Sequence, residues 1–253
     1  MLKSLIIAFS TYSRIPMPKT EWTDDGMKWC ICFFPLIGAA IGLADAAFCW
    51  LAELLGFGHL LRTAVLAAMP VLITGGIHFD GFLDTSDAIS SWKDRDAKLE
   101  ILKDPHTGAF AVICGITYEV LLLGFLSEIN RTGFCVFTVS YVYSRALSGL
   151  SVAAFPKARK NGMLRTVADA SASPVKWIML AESIAAALLL LTVDPLVGGG
   201  CALAGAVVFF IYRKMSDSIF GGTTGDLAGW FLQVSELAMA AAIVLTAAIA
   251  QLL

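Results

Sequence analysis

The chain has 253 residues, of which 58% are hydrophobic and only 15% are charged, and its mean hydropathy is +0.77. A soluble domain carries about 25% charged residues, so these values exclude a soluble protein and leave no room for a separate soluble domain. The formal net charge is −2, and no basic stripe indicates a nucleic-acid partner. We therefore expect an all-α, polytopic integral membrane protein formed by one domain over residues 1–253.

The N-terminal segment combines a short apolar run with Arg14, Pro16 and Pro18. It lacks a small-residue cleavage site, so we expect no signal peptide, and the first nine residues suit a short interfacial helix. The six cysteines all lie in apolar segments without zinc-ligand spacing. We expect them to be free thiols that fill apolar space.

Seven stretches approach the ~20 mostly apolar residues that a membrane-spanning helix needs. They are residues 29–55, 60–79, 109–126, 134–155, 175–193, 196–212 and 231–253. In this arrangement fifteen of the 18 Lys and Arg residues lie on one side, Arg62 and Arg131 lie on the other, and Arg145 lies inside a span. The excess of basic residues in cytoplasmic loops then predicts a multi-pass protein of the cytoplasmic (inner) membrane, with its N-terminus and polar loops in the cytoplasm.

The longest polar run, residues 74–110, opens with three aspartates, Asp80, Asp84 and Asp87. On an α-helix they fall within an arc of roughly 60°, at about 100° per residue. Like charges on one face repel, and a bound cation relieves the repulsion. Carboxylate oxygens without His or Cys partners suit Mg²⁺, which commonly arrives with phosphates. The pattern predicts a metal-assisted phosphoryl-transfer site; the alternative is a solvated acidic helix end.

Residues 95–104 predict a short amphipathic helix that ends before Pro105. Glu100 and Asp104 are candidates to complete the metal site, and Lys103 is a candidate to hold a phosphate. The alternative is a charged surface helix.

Two arginines are further candidates for phosphate contacts. Arg14 is either a phosphate clamp or a positive anchor at the membrane surface. Arg145 lies inside a span, where a charge is functional by default, although a structural ion pair with Glu119 is the alternative. We expect His78 to be a packed histidine rather than a ligand.

The last polar loop, residues 220–230, reads FGGTTGDLAGW. Gly221 and Gly222 supply backbone N–H donors, and Thr223, Thr224 and Asp226 supply hydroxyls and a carboxylate. This composition predicts a phosphate or nucleotide contact. The alternative for Asp226 is a helix N-cap before the last span. The glycine motifs of soluble nucleotide-binding folds do not occur in this loop.

Four segments together resemble the cobalamin synthase family, the adenosylcobinamide-GDP ribazoletransferases. They are F-x-x-x-[ST]-R-[IL]-P-x-P at 9–18, G-G-x-H-x-D-G-x-x-D-x-x-D at 75–87, a [KR]-x-x-x-[LI]-x-[IL]-[ML]-K-D block with G-[AT]-[FY] over 95–110, and G-G-x-[TS]-G-D at 221–226. The resemblance covers essentially the full chain. One departure is Pro105-His106-Thr107, where the family pattern has a small residue, often an arginine, and an aliphatic residue.

The resemblance implies an enzyme of cobalamin nucleotide-loop assembly. Its substrates are adenosylcobinamide-GDP and α-ribazole or its 5′-phosphate, its products are adenosylcobalamin or its 5′-phosphate and GMP, and its cofactor is Mg²⁺. The implied metal ligands are Asp80, Asp84 and Asp87, one of them a candidate general base. The implied substrate-binding groups are Arg14, Lys103, Arg145 and the loop from Gly221 to Asp226.

Two other classes stay open at this stage. CDP-alcohol phosphotransferases also cluster aspartates, but in the pattern D-G-x-x-A-R followed by G-x-x-x-D-x-x-x-D. Here Asp84 lies near the place of the A-R pair, and the second half is absent. A cation-coupled transporter would hold its carboxylates in mid-bilayer between broken helices. A homo-oligomer is also compatible with the sequence.

Overall fold

The computed structural model describes residues 1–252, and within them the regular secondary structure is entirely helical. The α-helices are α1 Leu2–Tyr12, α2 Asp24–Met27, α3 Phe34–Leu54, α4 His59–Thr74, α5 Ile77–Ser90, α6 Arg95–Ile101, α7 Ala109–Glu128, α8 Arg131–Ala154, α9 Met163–Ala170, α10 Val175–Val193, α11 Pro195–Met215 and α12 Gly225–Ala250. A 3₁₀ turn, Cys30–Phe33, leads into α3, and a π-helical turn, Ser216–Phe220, follows α11.

Five of the helices in residues 1–252 are long and apolar enough to cross a membrane, and the bent pair α4–α5 makes a sixth. α8 is long enough, with 24 residues, but its buried face is polar and includes Ser140, Ser144, Ser148 and Ser151. These helices correspond to the seven predicted segments, so the predicted all-α membrane fold is confirmed. The six cysteines are free, as expected.

Among the boundaries that differ from the prediction, three bear on the polar segments. The last span begins at Gly225 rather than at residue 231, which places Asp226 in its first turn. The predicted segment 60–79 is broken after Thr74, and its end belongs to α5. α6 ends at Ile101, three residues early, because the residues before Pro105 leave the helix.

α8 lies at the centre of the bundle and packs against α3, α10, α11 and α12. Glycines allow α3 to approach α8 closely: a Cβ atom placed on Gly42 would lie 2.6 Å from the carbonyl oxygen of Thr138. Small residues let membrane helices pack at short distances, where dispersion forces hold them together. The centre of the bundle is therefore too tight to hold a ligand at this contact.

The bend between α4 and α5 positions the acidic segment. The two helices meet at 97° around Gly75 and Gly76, whose φ angles of 69° and 81° are readily adopted only by glycine. After the bend, α5 packs against the start of α12: a Cβ atom on Gly81 would lie 2.8 Å from the Cα of Asp226. Two distant acidic segments therefore meet.

The polar connections gather at one end of the bundle. Backbone hydrogen bonds join the N-terminal segment to α4, the 156–162 segment to the 221–224 loop, and the α9–α10 connection to the α2–α3 segment. These bonds run from Arg14 N to Ile73 O at 2.7 Å, from Ala158 N to Thr223 O at 3.0 Å and from Ala172 N to Lys28 O at 3.2 Å. The cation-rich segments of the sequence thus form one polar end.

Candidate active site

The acidic face of α5 forms one wall of this polar end. Asp80 is exposed, and Asp84 and Asp87 are half-buried. The charges of Asp80, Asp226, Asp87 and Asp104 all act on Asp84. The structure therefore brings the three predicted aspartates together and adds carboxylates from α12 and from the segment after α6. Within residues 1–252, no three His, Cys, Asp or Glu side chains form a preformed metal cluster.

The carboxylate of Asp87 lies directly against Gly108, the residue before α7. A Cβ atom on Gly108 would overlap both carboxylate oxygens of Asp87. Gly108 has an ordinary φ of −79°, so its conformation does not require glycine. The small residue is required at this position because the carboxylate occupies the space of a side chain.

We expect Gly108→Ala to lower turnover roughly 10²-fold, the effect of a small misplacement at a reacting centre, because the new methyl group displaces Asp87. Gly124→Ala is the matched control, since it lies on α7 and its Cβ atom would meet no heavy atom within 4 Å. Turnover and thermal stability are measured for both variants. Normal turnover in a folded Gly108→Ala protein would contradict a role for the Asp87 position.

Asp226 lies in the first turn of α12 but does not cap that helix. Thr224 is the N-cap, and its Oγ1 accepts a hydrogen bond from Leu227 N at 3.2 Å. The Thr224 hydroxyl also contacts Asp226 Oδ2 at 3.3 Å. Asp226 keeps 28% of its side chain exposed and lies 3.6 Å from Arg159. The capping alternative for Asp226 is therefore wrong, because Thr224 already fills that role.

A basic cavity of about 140 Å³ opens beside Asp226. Its cations are Lys157, Arg159 and Arg165, and Thr224 lies in its wall. Burial, and after it the charges of Arg165 and Arg213, lower the pKa of Lys157 to about 8. Arg159 is held in place because its guanidinium donates to Leu99 O at 2.7 Å. Arg165 also forms an exposed ion pair with Asp169 at 2.7 Å, so Lys157 and Arg159 are the main groups that make this cavity a site for an anion.

Sequence reasoning missed these three cations as site residues. In the sequence they contribute only to the excess of basic residues on one side of the membrane, and they lie more than 60 residues from Asp226 in the chain. The available signal was the density of basic residues in 156–176, which exceeds that of the other polar loops.

A second cavity, of about 220 Å³, adjoins the first. Tyr12, Phe34 and His78 form an aromatic wall, and Asp80 and Asp226 line the same cavity. The ring centroid of His78 lies 6.2 Å from that of Tyr12 and 5.5 Å from that of Phe34. His78 is a packed histidine, as expected, and its Nε2 has no hydrogen-bond partner in residues 1–252. The two cavities share Met163, Leu164, Gly225 and Asp226.

The segment after α6 places its charged residues at the surface. Glu100 and Lys103 form an exposed ion pair at 2.6 Å. Asp104 accepts hydrogen bonds from the backbone N–H of His106 at 2.9 Å and from its ring at 2.7 Å, and these bonds lower the pKa of Asp104. His106 belongs to the Pro105-His106-Thr107 departure from the family pattern. Its hydrogen bonds thus hold the carboxylate of Asp104, a predicted site residue, in place. Asp104 lies near Asp84, whereas Glu100 pairs with Lys103.

Arg14 lies at the bend of the α4–α5 pair. Its exposed side chain packs on Gly75, where a Cβ atom would lie 2.8 Å from the Arg14 Cγ. Tyr12, two residues earlier, lines the aromatic cavity. Arg14 is therefore placed near the candidate site, and its role as a phosphate contact stays a prediction.

Arg145 is not placed to contact a substrate. Its side chain is 0% exposed and forms an ion pair with Glu236 of α12, while the neighbouring Ser144 contacts both groups. The prediction that Glu119 pairs with Arg145 was wrong. The spacing of residues along the sequence does not show which neighbouring helix a side chain faces. Loss of one partner would leave a buried charge, so this pair joins α8 to α12 and does not clamp phosphate.

The first two glycines of the loop from Gly221 to Asp226 are needed for its backbone conformation and close packing. Gly221, with a φ of 70°, packs against the guanidinium of Arg95, and Gly222, with a φ of 149°, packs against the backbone of Lys157 and Ala158. Thr223 is buried, and its hydroxyl bonds to that of Tyr212. Of the five predicted residues, Thr224 and Asp226 present polar groups to the cavities.

Fold and site together define a polytopic membrane protein whose polar end combines carboxylates, cations and an aromatic cavity. A family model described as cobalamin-5-phosphate synthase matches residues 4–244. The chain belongs to this family.

Three similar curated proteins carry one name. A protein of Lachnoclostridium phytofermentans, named adenosylcobinamide-GDP ribazoletransferase, is 42% identical over 96% of this chain and 94% of its own length. Proteins with the same name from Desulfitobacterium hafniense and Clostridium botulinum are 33% and 30% identical; they match 93% and 94% of this chain and 94% and 95% of their own lengths. No solved structure matches the chain.

Proposed function

We propose that the chain is an adenosylcobinamide-GDP ribazoletransferase, an enzyme of the last steps of cobalamin (vitamin B12) assembly. A hydroxyl of α-ribazole, or of its 5′-phosphate, attacks the corrinoid-side phosphorus of the diphosphate. The new P–O bond forms as the bond to GMP breaks, and the hydroxyl proton passes to a base. The products are adenosylcobalamin, or its 5′-phosphate, and GMP.

One observation carries this proposal: Asp226 lies where a basic cavity meets an aromatic cavity. Lys157, Arg159 and Arg165 suit the diphosphate of the donor, because charge-assisted hydrogen bonds to phosphate are strong. The aromatic cavity, at about 220 Å³, is too small for a corrinoid and suits the flat base of α-ribazole. The two reacting groups would then meet at Asp226, with the corrinoid outside.

The carboxylates suit Mg²⁺. Asp80, Asp84, Asp87 and Asp226 would supply hard oxygen donors, with Asp104 nearby. Bound there, Mg²⁺ would neutralise the charge of the diphosphate and of the leaving GMP. In this proposal the carboxylates also orient the attacking hydroxyl, and one of them accepts its proton. Glu100 is outside this set because Lys103 neutralises it.

The polar end faces the cytoplasm in this proposal, and the membrane is the cytoplasmic (inner) one. Fifteen of the 18 Lys and Arg residues lie in its segments, as the bias toward basic cytoplasmic loops requires. The nucleotide substrate is found in the same compartment. A homo-oligomer is not needed by this arrangement, since both cavities are formed within one chain.

We expect single cysteines at positions 91 and 218, on a background without the native cysteines, to resist an impermeant thiol reagent in intact cells. Ser91 and Ser218 lie on the polar end, whereas Glu128→Cys at the opposite end should be labelled and serves as the control. Labelling of the variants at positions 91 and 218, with Glu128→Cys protected, would show that the polar end faces the outside of the cell and would contradict the proposed topology.

The reaction is tested with the purified protein in proteoliposomes. We expect one GMP and one corrinoid product per adenosylcobinamide-GDP consumed, only when α-ribazole or its phosphate is present. CDP-alcohol donors should release no CMP. Release of CMP, or α-ribazole-independent loss of GMP, would favour another transferase or a hydrolase.

A further inference from the structure

A third cavity lies at the opposite end of the bundle from the candidate active site. It has a volume of about 500 Å³ and is formed by the end of α3, the start of α4, the end of α7 and the start of α8. The candidate site uses the other ends of α3 and α8, around Phe34 and Ser148. Arg131 of this cavity and Ser148 of the candidate site are 17 residues apart on α8, which is about 25 Å at 1.5 Å per residue, so the two sites lie toward opposite faces of the bilayer.

The two basic residues of this end both lie in the cavity. Arg62 and Arg131 are the two Lys or Arg residues that the sequence assigns to this side, and both line it, together with Glu53. Within residues 1–252, none of the three carboxylate or guanidinium groups makes an ion pair within 4.0 Å. The cavity therefore presents two cations and one anion that have no charged partner in the protein.

The cavity is built rather than left by loose packing. Arg62 Nε donates to Phe57 O at 2.9 Å, which fixes the guanidinium at the start of α4. His59 Nε2 lies 3.0 Å from Ser127 O, which joins α4 to the end of α7. Asn130 caps α8 by accepting from Gly133 N at 2.8 Å, which fixes the start of the helix that carries Arg131. The rest of the lining is largely apolar and includes Leu66 and Phe134.

We propose that this cavity binds the headgroup of a phosphatidylethanolamine molecule from the leaflet opposite the candidate active site. The phosphodiester accepts hydrogen bonds from Arg62 and Arg131, because the guanidinium fork matches two phosphate oxygens. The ammonium group of the same headgroup pairs with Glu53. A headgroup with one anion and one cation thus complements two cations and one anion, and leaves one positive charge for the surrounding anionic lipid.

The surroundings of the cavity suit a lipid more than a soluble phosphate ester. Trp50 lines it and is 67% exposed, and indole rings are enriched at the membrane–water interface. Nearby Leu54 and Leu60 are 68% and 77% exposed, which gives the acyl chains an apolar surface beside the rim.

The test is native mass spectrometry of the purified full chain with added palmitoyl-oleoyl phosphatidylethanolamine. We expect one retained lipid per wild-type chain, and about tenfold less in Arg131→Gln and in Glu53→Gln, since each loses one charged contact. The Glu53 and Arg131 side chains make no hydrogen bond in residues 1–252, so both variants should fold. Lys214→Gln, an exposed cation on the polar end, is the matched control and should retain the lipid.

Two comparisons separate the ligand sources. The wild type should retain phosphatidylglycerol, which lacks the ammonium, less well than phosphatidylethanolamine. Glu53→Gln should retain the two lipids equally. Soluble glycerophosphoethanolamine should not displace the lipid at equal concentration, because it lacks acyl chains. Equal retention by wild type and both variants, equal retention of the two lipids by wild type, or displacement by the soluble headgroup would overturn the proposal.

Discussion

Asp80→Asn, Asp84→Asn and Asp87→Asn should each lower turnover far more than tenfold while the protein still folds. The three carboxylates share one face of α5, the adjacent Gly81 packs against Asp226, and phosphoryl transfer depends on positioning and on charge neutralisation. Asn keeps the size of Asp and removes its charge, so the loss reports the charge. GMP release is measured at several Mg²⁺ concentrations, and a weakened metal ligand should raise the concentration that half-saturates the rate.

Asp96→Asn provides the matched control. Asp96 is an exposed carboxylate in the first turn of α6, outside both cavities, and its variant should turn over normally. Full activity in any two of the three α5 variants would remove the metal assignment. Loss of activity in Asp96→Asn as well would indicate a general effect of negative charge at the polar end.

Asp226→Asn should fold normally and lose turnover by about two orders of magnitude or more, as expected when a charged contact at the reacting centre is removed. Its ion pair with Arg159, at 3.6 Å and partly exposed, is worth at most about 1 kcal/mol of stability. Thr224, which caps α12, is unchanged in this variant. Asp226→Asn should therefore lower turnover strongly while it changes stability little.

Asp194→Ala, which removes the N-cap of α11 away from both cavities of the candidate site, gives the opposite pattern and completes the experiment. Loss of an N-cap costs about 1 kcal/mol of unfolding free energy, which lowers the melting temperature and leaves a folded, active fraction. Melting temperature and GMP release are measured for both variants. If Asp226→Asn turned over like the wild type, Asp226 would be excluded from the active site, which would then comprise only residues of α5 and of the segment after α6.

The helices and the acidic face were predictable because both depend on local sequence. Each predicted segment is an apolar run near the length of a bilayer crossing, and most are bounded by charged or glycine-rich connections. The spacing of Asp80, Asp84 and Asp87 required only that their segment be helical, as α5 is. The excess of basic residues on one side likewise predicted that the polar connections lie at one end of the bundle.

The contacts between helices were not predictable from one sequence. The ion pair of Arg145 joins residues 91 positions apart, and Glu236 has no sequence feature that distinguishes it from Glu119. The helix break at Gly75–Gly76 follows from two left-handed glycines, but its 97° angle depends on the packing of α5 against α12. The basic cavity forms because the 156–162 segment pairs with the 221–224 loop, and no periodicity encodes that pairing.

The capping residue shows the same limit at short range. Thr224 and Asp226 both precede the apolar run of the last span, and both residue types cap helices well. The helix begins at Gly225, which makes Thr224 the cap and leaves the carboxylate of Asp226 facing the cavities. A shift of two residues in one boundary thus decides between a structural and a functional role.

The most direct test of the acidic site is Mn²⁺ binding measured by electron paramagnetic resonance, with adenosylcobinamide-GDP present and α-ribazole omitted so that no turnover occurs. The wild-type chain should remove free Mn²⁺ from solution, and the Asp80→Asn, Asp84→Asn, Asp87→Asn triple variant should leave it free, while Asp96→Asn behaves as wild type. Equal Mn²⁺ binding by the wild type and the triple variant would contradict the account.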